Sequence, residues 1–294
     1  MKMKSHQTIG LALGGGGARG LAHIGLLDVL LKNGIMPSAL SGTSIGAIIA
    51  GALAAGHSPQ NLTDLAMKLT KTSEMVKLVD WSPPRRGLLE GKKVKAFLES
   101  LFKNLRIEEL AFPLAINAVD LCTGQEVIFT EGPLVPAIMA SIAVPGIFQP
   151  FSMGSRQLVD GGVLNNVPVS LLKPYNPAIT IAVDVQVNPH IDPHWSDLPK
   201  SHGFPVPMPE LFMEVYRAEM LMLHTITQQN LEMNSPDILI CPKIPAEITP
   251  FLGFSRAPEI IQCGVQAGEE ILPHIWARLE RINYQEQKSH DRFQ

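Results

Sequence analysis

Four consecutive glycines, Gly14–Gly17, stand between a short apolar run and an amphipathic stretch, and no other feature constrains the fold of this 294-residue chain as strongly. Thr8–Leu13 (TIGLAL), before them, has the length and character of a short buried strand. Leu21–Lys32, after them, carries apolar residues at Leu21, Ile24, Leu27, Val29, Leu30 and Leu31, a helical spacing that Asn33-Gly34 ends. A strand that enters a helix through Gly14-Gly15-Gly16-Gly17-Ala18-Arg19-Gly20 brings bare backbone close to whatever lies beside it. Read as G-x-G-x-x-G (Gly15, Gly17, Gly20), the turn matches a dinucleotide-binding pattern. That use expects an acidic residue at the end of the second strand, about 20 residues on, and Met36–Ser41 (MPSALS) offers none. The other chemical use is an oxyanion hole, with free N–H groups and the positive end of the following helix aimed at developing charge. Taken alone, the loop leaves a plain tight turn, a phosphate or cofactor site and an oxyanion loop open.

The rest of the chain reads as strands alternating with helices. A second short strand leads into Gly42-Thr43-Ser44-Ile45-Gly46, followed by an Ala/Ile-rich helix to about Ala55, and Ser58-Pro59 starts another helix. Residues 80–90 form an irregular charged loop, and Lys92–Phe102 an amphipathic helix. Pro113–Val119 and Glu126–Thr130 read as strands around a Thr123-Gly124 turn, Pro133–Ile142 as a helix and Ala178–Val185 as a strand. Glu210–Glu232 is a long helix, Asp237–Cys241 a last strand, and Ala257–Ile282 a final helical region interrupted near Pro273. This alternation predicts an α/β fold with a mostly parallel central sheet. The expected organisation is a core over residues 7–185, completed by 186–284 in the same domain, with a polar tail from 285 to 294.

Composition closes off several function classes. A net charge of −3 with no basic block leaves no electrostatic footprint for nucleic acid. Cys122, Cys241 and Cys263 are odd in number and widely spaced, which signals neither a disulfide framework nor a zinc knuckle and fits a reducing, cytoplasmic setting. No metal or other cofactor is expected. Ile9–Leu13 is too short for a secretory signal core. The uncharged stretch Asn33–Gly56 is interrupted by Pro37, Ser38, Ser41, Thr43 and Ser44, so it reads as a buried turn and helix and not a bilayer span.

Gly42-Thr43-Ser44-Ile45-Gly46 is a G-x-S-x-G. In a nucleophile elbow the serine occupies a strained strand-to-helix turn and the glycines make room for it. Asp160-Gly161-Gly162, followed by Val163-Leu164-Asn165-Asn166-Val167-Pro168, is on its own a common turn sequence. A nucleophilic serine needs a base, and histidine is the usual one. His23 sits on the helix after the glycine loop and reads as a packed residue. His190, His194, His202, His224 and His274 follow Ser44 and Asp160 in the order of an α/β-hydrolase triad, but none lies in a recognisable loop motif. The residues alone leave a Ser-His-Asp triad and a histidine-free dyad equally open.

Taken together and in this order, these elements resemble the patatin-like phospholipase family. The resemblance rests on the loop Gly15–Gly20, the elbow Gly42–Gly46 and the Asp160-Gly161-Gly162 motif. Ala140-Ser141-Ile142-Ala143-Val144-Pro145 with Phe148, and Gly87-Leu88-Leu89-Glu90-Gly91, add to it. It implies a three-layer α/β/α sandwich, Ser44 as nucleophile, Asp160 as proton acceptor, and an oxyanion hole from the amides of Gly15, Gly16 and Gly17. It implies that Arg19 either anchors that loop or adds positive charge near it, and that the substrate is an acyl ester of a (lyso)phospholipid or related lipid. Peripheral contact at the inner membrane face goes with such a substrate. Two alternatives are a soluble acyl esterase or thioesterase, and a regulatory protein that acts by binding a partner. The stretch 186–209, with six prolines and with Phe204, Val206 and Met208 in its second half, reads either as a solvated connector or as a flap over the site.

Overall fold

Eight strands form one mixed sheet with helices on both faces in a computed structural model, which describes residues 8–70, 78, 80, 89–189, 210–250 and 253–291. The strands are β1 (Ile9–Leu13), β2 (Ala39–Gly42), β3 (Leu114–Asp120), β4 (Gln125–Phe129), β5 (Phe151–Met153), β6 (Arg156–Asp160), β7 (Ile179–Val183) and β8 (Ile238–Ile240). The helices are α1 (Ala22–Lys32), α2 (Ile45–Ala54), α3 (Pro59–Leu69), α4 (Lys92–Phe102), α5 (Leu134–Ser141), α6 (Gly162–Asn165), α7 (Glu210–Met233) and α8 (Ala257–Asp291). Pairings β1–β2, β1–β7, β2–β3 and β7–β8 are parallel, while β3–β4, β3–β6 and β5–β6 are antiparallel. The sheet is therefore mostly parallel, as the alternation of elements predicts. The irregular loop expected at 80–90 and the stretch 190–209 lie largely or wholly outside the described residues.

Every residue of β1 is buried, because both faces of the strand are covered. Ile9, Leu11 and Leu13 join Leu40, Leu114, Ile116, Ile181 and Val183 in the larger core, against α1, α2, α5 and α8. On the opposite face Ala12, Ala39 and Ala182 pack under Val167, Val169, Leu172 and Leu231. The pleat thus puts bulky side chains on one face and small ones on the other. The small face lets the 3₁₀ helix Val169–Tyr175 settle close to the strands.

α1 and α8 also pack closely. A Cβ on Gly25 would overlap the Ile261 carbonyl, and one on Gly264 the Ala22 carbonyl. This packing bears on the interruption expected at Pro273, which the structure does not have: α8 runs unbroken from Ala257 to Asp291. Proline removes a single N–H from the helix ladder, and Ile260, Ile275 and Leu279, all buried on either side of it, hold the axis in place. The hairpin β5–β6, which turns at Gly154 (φ 62°), was not among the expected strands. β5 is three residues long, too short to show a period.

The registers along β3 determine where the site forms. Ile116 pairs with both Gly42 of β2 and Phe129 of β4, and Val119 pairs with both Glu126 of β4 and Val159 of β6. A strand has two edges, so β2 and β6 lie on the same edge of β3, opposite β4. β2 runs parallel to β3 and β6 antiparallel, so their C-terminal ends point at one another across Asn117. The residues after β2 carry the elbow, and β6 ends on Asp160.

Candidate active site

Ser44 is the residue between β2 and α2, with φ 55° and ψ −125°. A non-glycine residue rarely adopts that conformation, and such strain persists only where the surroundings enforce it. The enforcement is visible on both sides of the serine. A Cβ on Gly42 would come within 2.6 Å of the Gly46 carbonyl oxygen, and one on Gly46 would overlap the Leu13 carbonyl. The Ser44 N–H donates to Ser141 Oγ (2.9 Å). Thr43 N–H donates to the Leu13 carbonyl (3.1 Å), and its hydroxyl lies 2.8 Å from Asn117 Oδ1 and 3.0 Å from the Asn165 carbonyl. Ile45 packs over Gly20, where a Cβ would overlap its side chain, so the elbow rests directly on the glycine loop.

Asp160 is 6% exposed and faces Ser44, whose hydroxyl donates a hydrogen bond to its carboxylate. The Gly162 N–H donates to Asp160 Oδ1 (2.7 Å), and the Asp160 N–H donates to the Ala143 carbonyl (2.9 Å). Burial pushes the carboxyl from its ordinary 3.8 up to about 7; the bonds from Ser44 and Gly162 oppose that rise, and the charge of Glu219 adds to it. Asp160-Gly161 is accordingly not a β-turn. Asp160 ends β6 and Gly161 leads into α6.

The glycine loop closes the third side. Gly14 N–H donates to the Val183 carbonyl and Gly15 N–H to the Asn166 carbonyl (3.1 Å), while Asn166 Nδ2 donates to the Gly15 carbonyl (3.2 Å). Of the three amides expected to receive an oxyanion, that of Gly15 is thus already engaged. Those of Gly16 and Gly17 have no acceptor among the described residues, and both glycines line the same cavity as Ser44 and Asp160. Ala18 N–H donates to the Pro250 carbonyl (2.7 Å).

Between the two readings of Arg19, the geometry favours the anchor. The side chain is buried, and its guanidinium donates to the carbonyls of Val185 (2.7 Å), Pro245 (2.9 Å), Ile248 (3.1 Å), Ile244 (3.3 Å) and Gln186 (3.4 Å). It ties the loop to the end of β7 and to the segment after β8. His23 is fully buried, with Nε2 2.8 Å from the Gly14 carbonyl, and burial lowers its pKa to about 4. It is neutral, donates to that carbonyl, and supports the loop from behind. No histidine lines the cavity among the described residues.

Several residues of the site carried no role in the sequence reading. Asn117 joins its halves: its amide accepts from Thr43, and its Nδ2 faces the Asn165 carbonyl (2.9 Å), the Glu126 carboxylate (2.9 Å) and the Gly161 carbonyl (3.4 Å). A lone amide inside the apolar strand LAINAVD was the available signal, because a buried polar side chain needs partners. Ser141 and Ala143, one bound to the Ser44 amide and the other to the Asp160 amide, give the Ala140–Pro145 block a physical purpose. Glu219, on α7, has no sequence neighbour that marks it.

The cavity in front of Ser44 measures about 100 Å³. Val144, Pro145, Val163, Val187, Met220 and Leu223 form most of its wall. Among the described residues no group of acidic, histidine or cysteine side chains is placed to hold a metal ion, and no helix is long and apolar enough to cross a membrane.

A family model described as patatin-like phospholipase matches residues 11–173, more than half of the chain. An uncharacterized NTE family protein of Mycobacterium tuberculosis is 37% identical over 181 residues, which cover 62% of this chain and 50% of that protein. The mouse patatin-like phospholipase domain-containing protein 7 is 27% identical over 94% of this chain and 21% of its own length. The chain therefore spans half or less of the length of these relatives. Among solved structures, human GIVD cytosolic phospholipase A2, in complex with methyl gamma-linolenyl fluorophosphonate, superposes with a TM-score of 0.49 at 12% identity, covering 94% of this chain and 59% of that one. The glycine loop, the elbow and Asp160 all fall inside the matched span, and the chain belongs to the patatin-like phospholipase family.

Proposed function

We infer that this chain is a lipid acyl hydrolase in which Ser44 is the nucleophile and Asp160 its base. The observation that carries the reading is the pairing of a strained, buried serine with a carboxyl whose pKa is raised to about 7, in a cavity with apolar walls. An ordinary carboxylate is a weak base toward a hydroxyl, and one that titrates near neutrality is far better matched to the task. Asp160 takes the Ser44 proton as Oγ attacks the acyl carbonyl. The carbonyl oxygen becomes an oxyanion beside the Gly16 and Gly17 amides, and loss of one such donor typically costs about 3 kcal/mol of transition-state stabilisation. Asp160 then gives its proton to the departing alkoxide, and the acyl group remains on Ser44. In the second half Asp160 activates a water, which releases the fatty acid and restores the hydroxyl.

Phospholipids, lysophospholipids and neutral lipids are the substrate class that the family carries with it, and cytoplasmic action with peripheral membrane contact goes with them. A second reading is favoured by the cavity itself. At about 100 Å³ it is smaller than the roughly 300–1,000 Å³ of a pocket that encloses a drug-sized ligand. A short soluble acyl ester matches that volume, whereas a long acyl chain exceeds it. Two experiments test these readings. A fluorophosphonate should label the wild type at Ser44 and leave Ser44→Ala unlabelled, and labelling elsewhere or turnover by the alanine variant would end the proposal. A panel of micellar phospholipids and short-chain esters then separates lipid from soluble substrate.

A further inference from the structure

Gly15 and Gly162 belong to different motifs, yet both are bare toward the same atom. A Cβ on Gly15 would come within 2.5 Å of Asn166 Oδ1 and 3.1 Å of Ser44 Cβ. A Cβ on Gly162 would come within 2.7 Å of that Oδ1 and 3.0 Å of Asp160 Oδ1. The amide oxygen of Asn166 therefore lies between the two glycines, with the serine beside one and the aspartate beside the other. Its orientation follows from its partner. Asn166 Nδ2 donates to the Gly15 carbonyl (3.2 Å), a group that only accepts, so the oxygen cannot take that place. The Asn166 carbonyl in turn accepts from the Gly15 N–H (3.1 Å), which holds the residue against the loop by both its backbone and its side chain. Asn166 is 3% exposed, and it lines the cavity together with Ser44 and Asp160.

Hydrolysis of an acyl group on Ser44 needs a water aimed at the acyl carbon, and one acceptor does not aim it. A water held by Asp160 alone turns about that hydrogen bond, whereas a second acceptor beside the carboxylate fixes the direction of its lone pair. We propose that Asn166 is a catalytic residue of the second half-reaction, its Oδ1 accepting a hydrogen bond from the attacking water while Asp160 accepts the proton. The proposal rests on the Ser44–Asp160 reading. Once Ser44 is acylated it has no hydroxyl to donate, and its place on the Asp160 carboxylate passes to the water. The water oxygen bonds to the acyl carbon as one of its protons moves to Asp160; the other stays on that oxygen, bonded to Asn166 Oδ1. The bond from the acyl carbon to Oγ then breaks, the Asp160 proton goes to Ser44 Oγ, and the fatty acid leaves. In the first half the attacking group is the serine, whose single proton goes to Asp160, so Oδ1 has no equivalent task there.

Turnover of p-nitrophenyl acetate separates the two halves. The steady-state share of acetylated Ser44, read by intact mass after acid quench at saturating ester, combines with kcat to give the rate of each step. Asn166→Ala should slow deacetylation about ten-fold more than acetylation, the size of effect expected from one lost hydrogen bond to a reacting group. Asn166→Asp keeps an oxygen at the Oδ1 position and loses the N–H that donates to Gly15. Its added charge acts on Asp160 in both steps alike, so the ratio of deacetylation to acetylation should stay at the wild-type value. A residue that served only to hold the glycine loop would behave differently: both steps would slow together, because the loop amides act in each, and aspartate would be no better than alanine. Equal slowing of the two steps in Asn166→Ala, or a ratio in Asn166→Asp as low as in the alanine variant, overturns the proposal. Asn166→Ser, whose hydroxyl falls short of the Oδ1 position, gives the same reading should the alanine variant fail to fold. Failure of the underlying site reading would show separately, as an acetyl group on a residue other than Ser44 or as hydrolysis of the ester by Ser44→Ala.

Discussion

Replacing Asp160 by asparagine should abolish turnover and, above neutral pH, make the protein harder to unfold. The carboxyl is held at about 7 in the folded chain against an ordinary 3.8, with burial as the main cause. The folded protein therefore binds this proton more tightly than the unfolded chain does. The corresponding stability is intact below pH 3.8 and is lost progressively as pH rises, until the folded carboxyl has itself ionised near 7. The interval corresponds to about 4 kcal/mol at 1.36 kcal/mol for each tenfold step in proton concentration. Asparagine has the same shape and still accepts from the Gly162 N–H, which lies 2.7 Å from Oδ1 in the parent, but it carries no charge to desolvate. The gap between Asp160→Asn and wild type should therefore widen by about 3 kcal/mol from pH 5 to pH 8. In urea unfolding this is a relative shift of about 1 M in midpoint if the slope is about 3 kcal/mol/M. A gap that stays constant over that range would show that the Asp160 carboxyl does not titrate near neutrality, and the argument for its strength as a base would fall with it.

If Asp160 is the base as proposed, its ionised form accepts the serine proton, so kcat/KM should rise with pH to a plateau with its half-point near 7; a profile flat from pH 5 to 8 would count against this base. Ser44→Gly and Ser44→Ala should both be inactive, with the glycine variant more stable by about 1–2 kcal/mol in thermal unfolding, because only glycine is at ease at φ 55°. Arg19→Lys should lose about 3 kcal/mol in urea unfolding, since one ammonium cannot serve five carbonyls that a planar fork reaches. A loss under 0.5 kcal/mol would refute the anchor reading.

Elements whose signal is local were legible in the sequence. The β1–loop–α1 unit, the elbow and the long α7 each announce themselves through a period or a glycine that only a turn explains, and their bounds differ from expectation by a residue or two. The pair β5–β6 was not legible, because a three-residue strand has no period to detect and its partner ends in a sequence that also suits a turn. The break expected at Pro273 reflected a local rule outweighed by tertiary packing along α8. Within the site, the residue types of the three motifs could be read, but the commitments of individual backbone groups could not. That the Gly15 amide faces the Asn166 carbonyl while those of Gly16 and Gly17 stay open depends on where Val167–Pro168 turns, some 150 residues away. Asn117 and Glu219 belong to the same class, being polar residues whose meaning comes from neighbours distant in the chain.

The end-to-end meeting of β2 and β6 on one edge of β3 makes that strand a ruler for the proposed Ser44–Asp160 pair. Gly42 is set against Ile116 and Asp160 against Ala118, so two steps of one strand fix the gap between the elbow and the carboxylate. The lengths of α3 and α4 do not enter that gap, so these helices can grow or shrink without moving either group, whereas α5 ends on Ser141 and leads to Ala143, which hold the Ser44 and Asp160 amides. A slip of one residue in either pairing is different. It would displace one partner by about 3.3 Å and turn its side chain to the other side of the sheet. Insertions should therefore be tolerated around α3 and α4 and forbidden within Leu114–Asp120, so that seven residues far from either motif in sequence set the alignment of the pair.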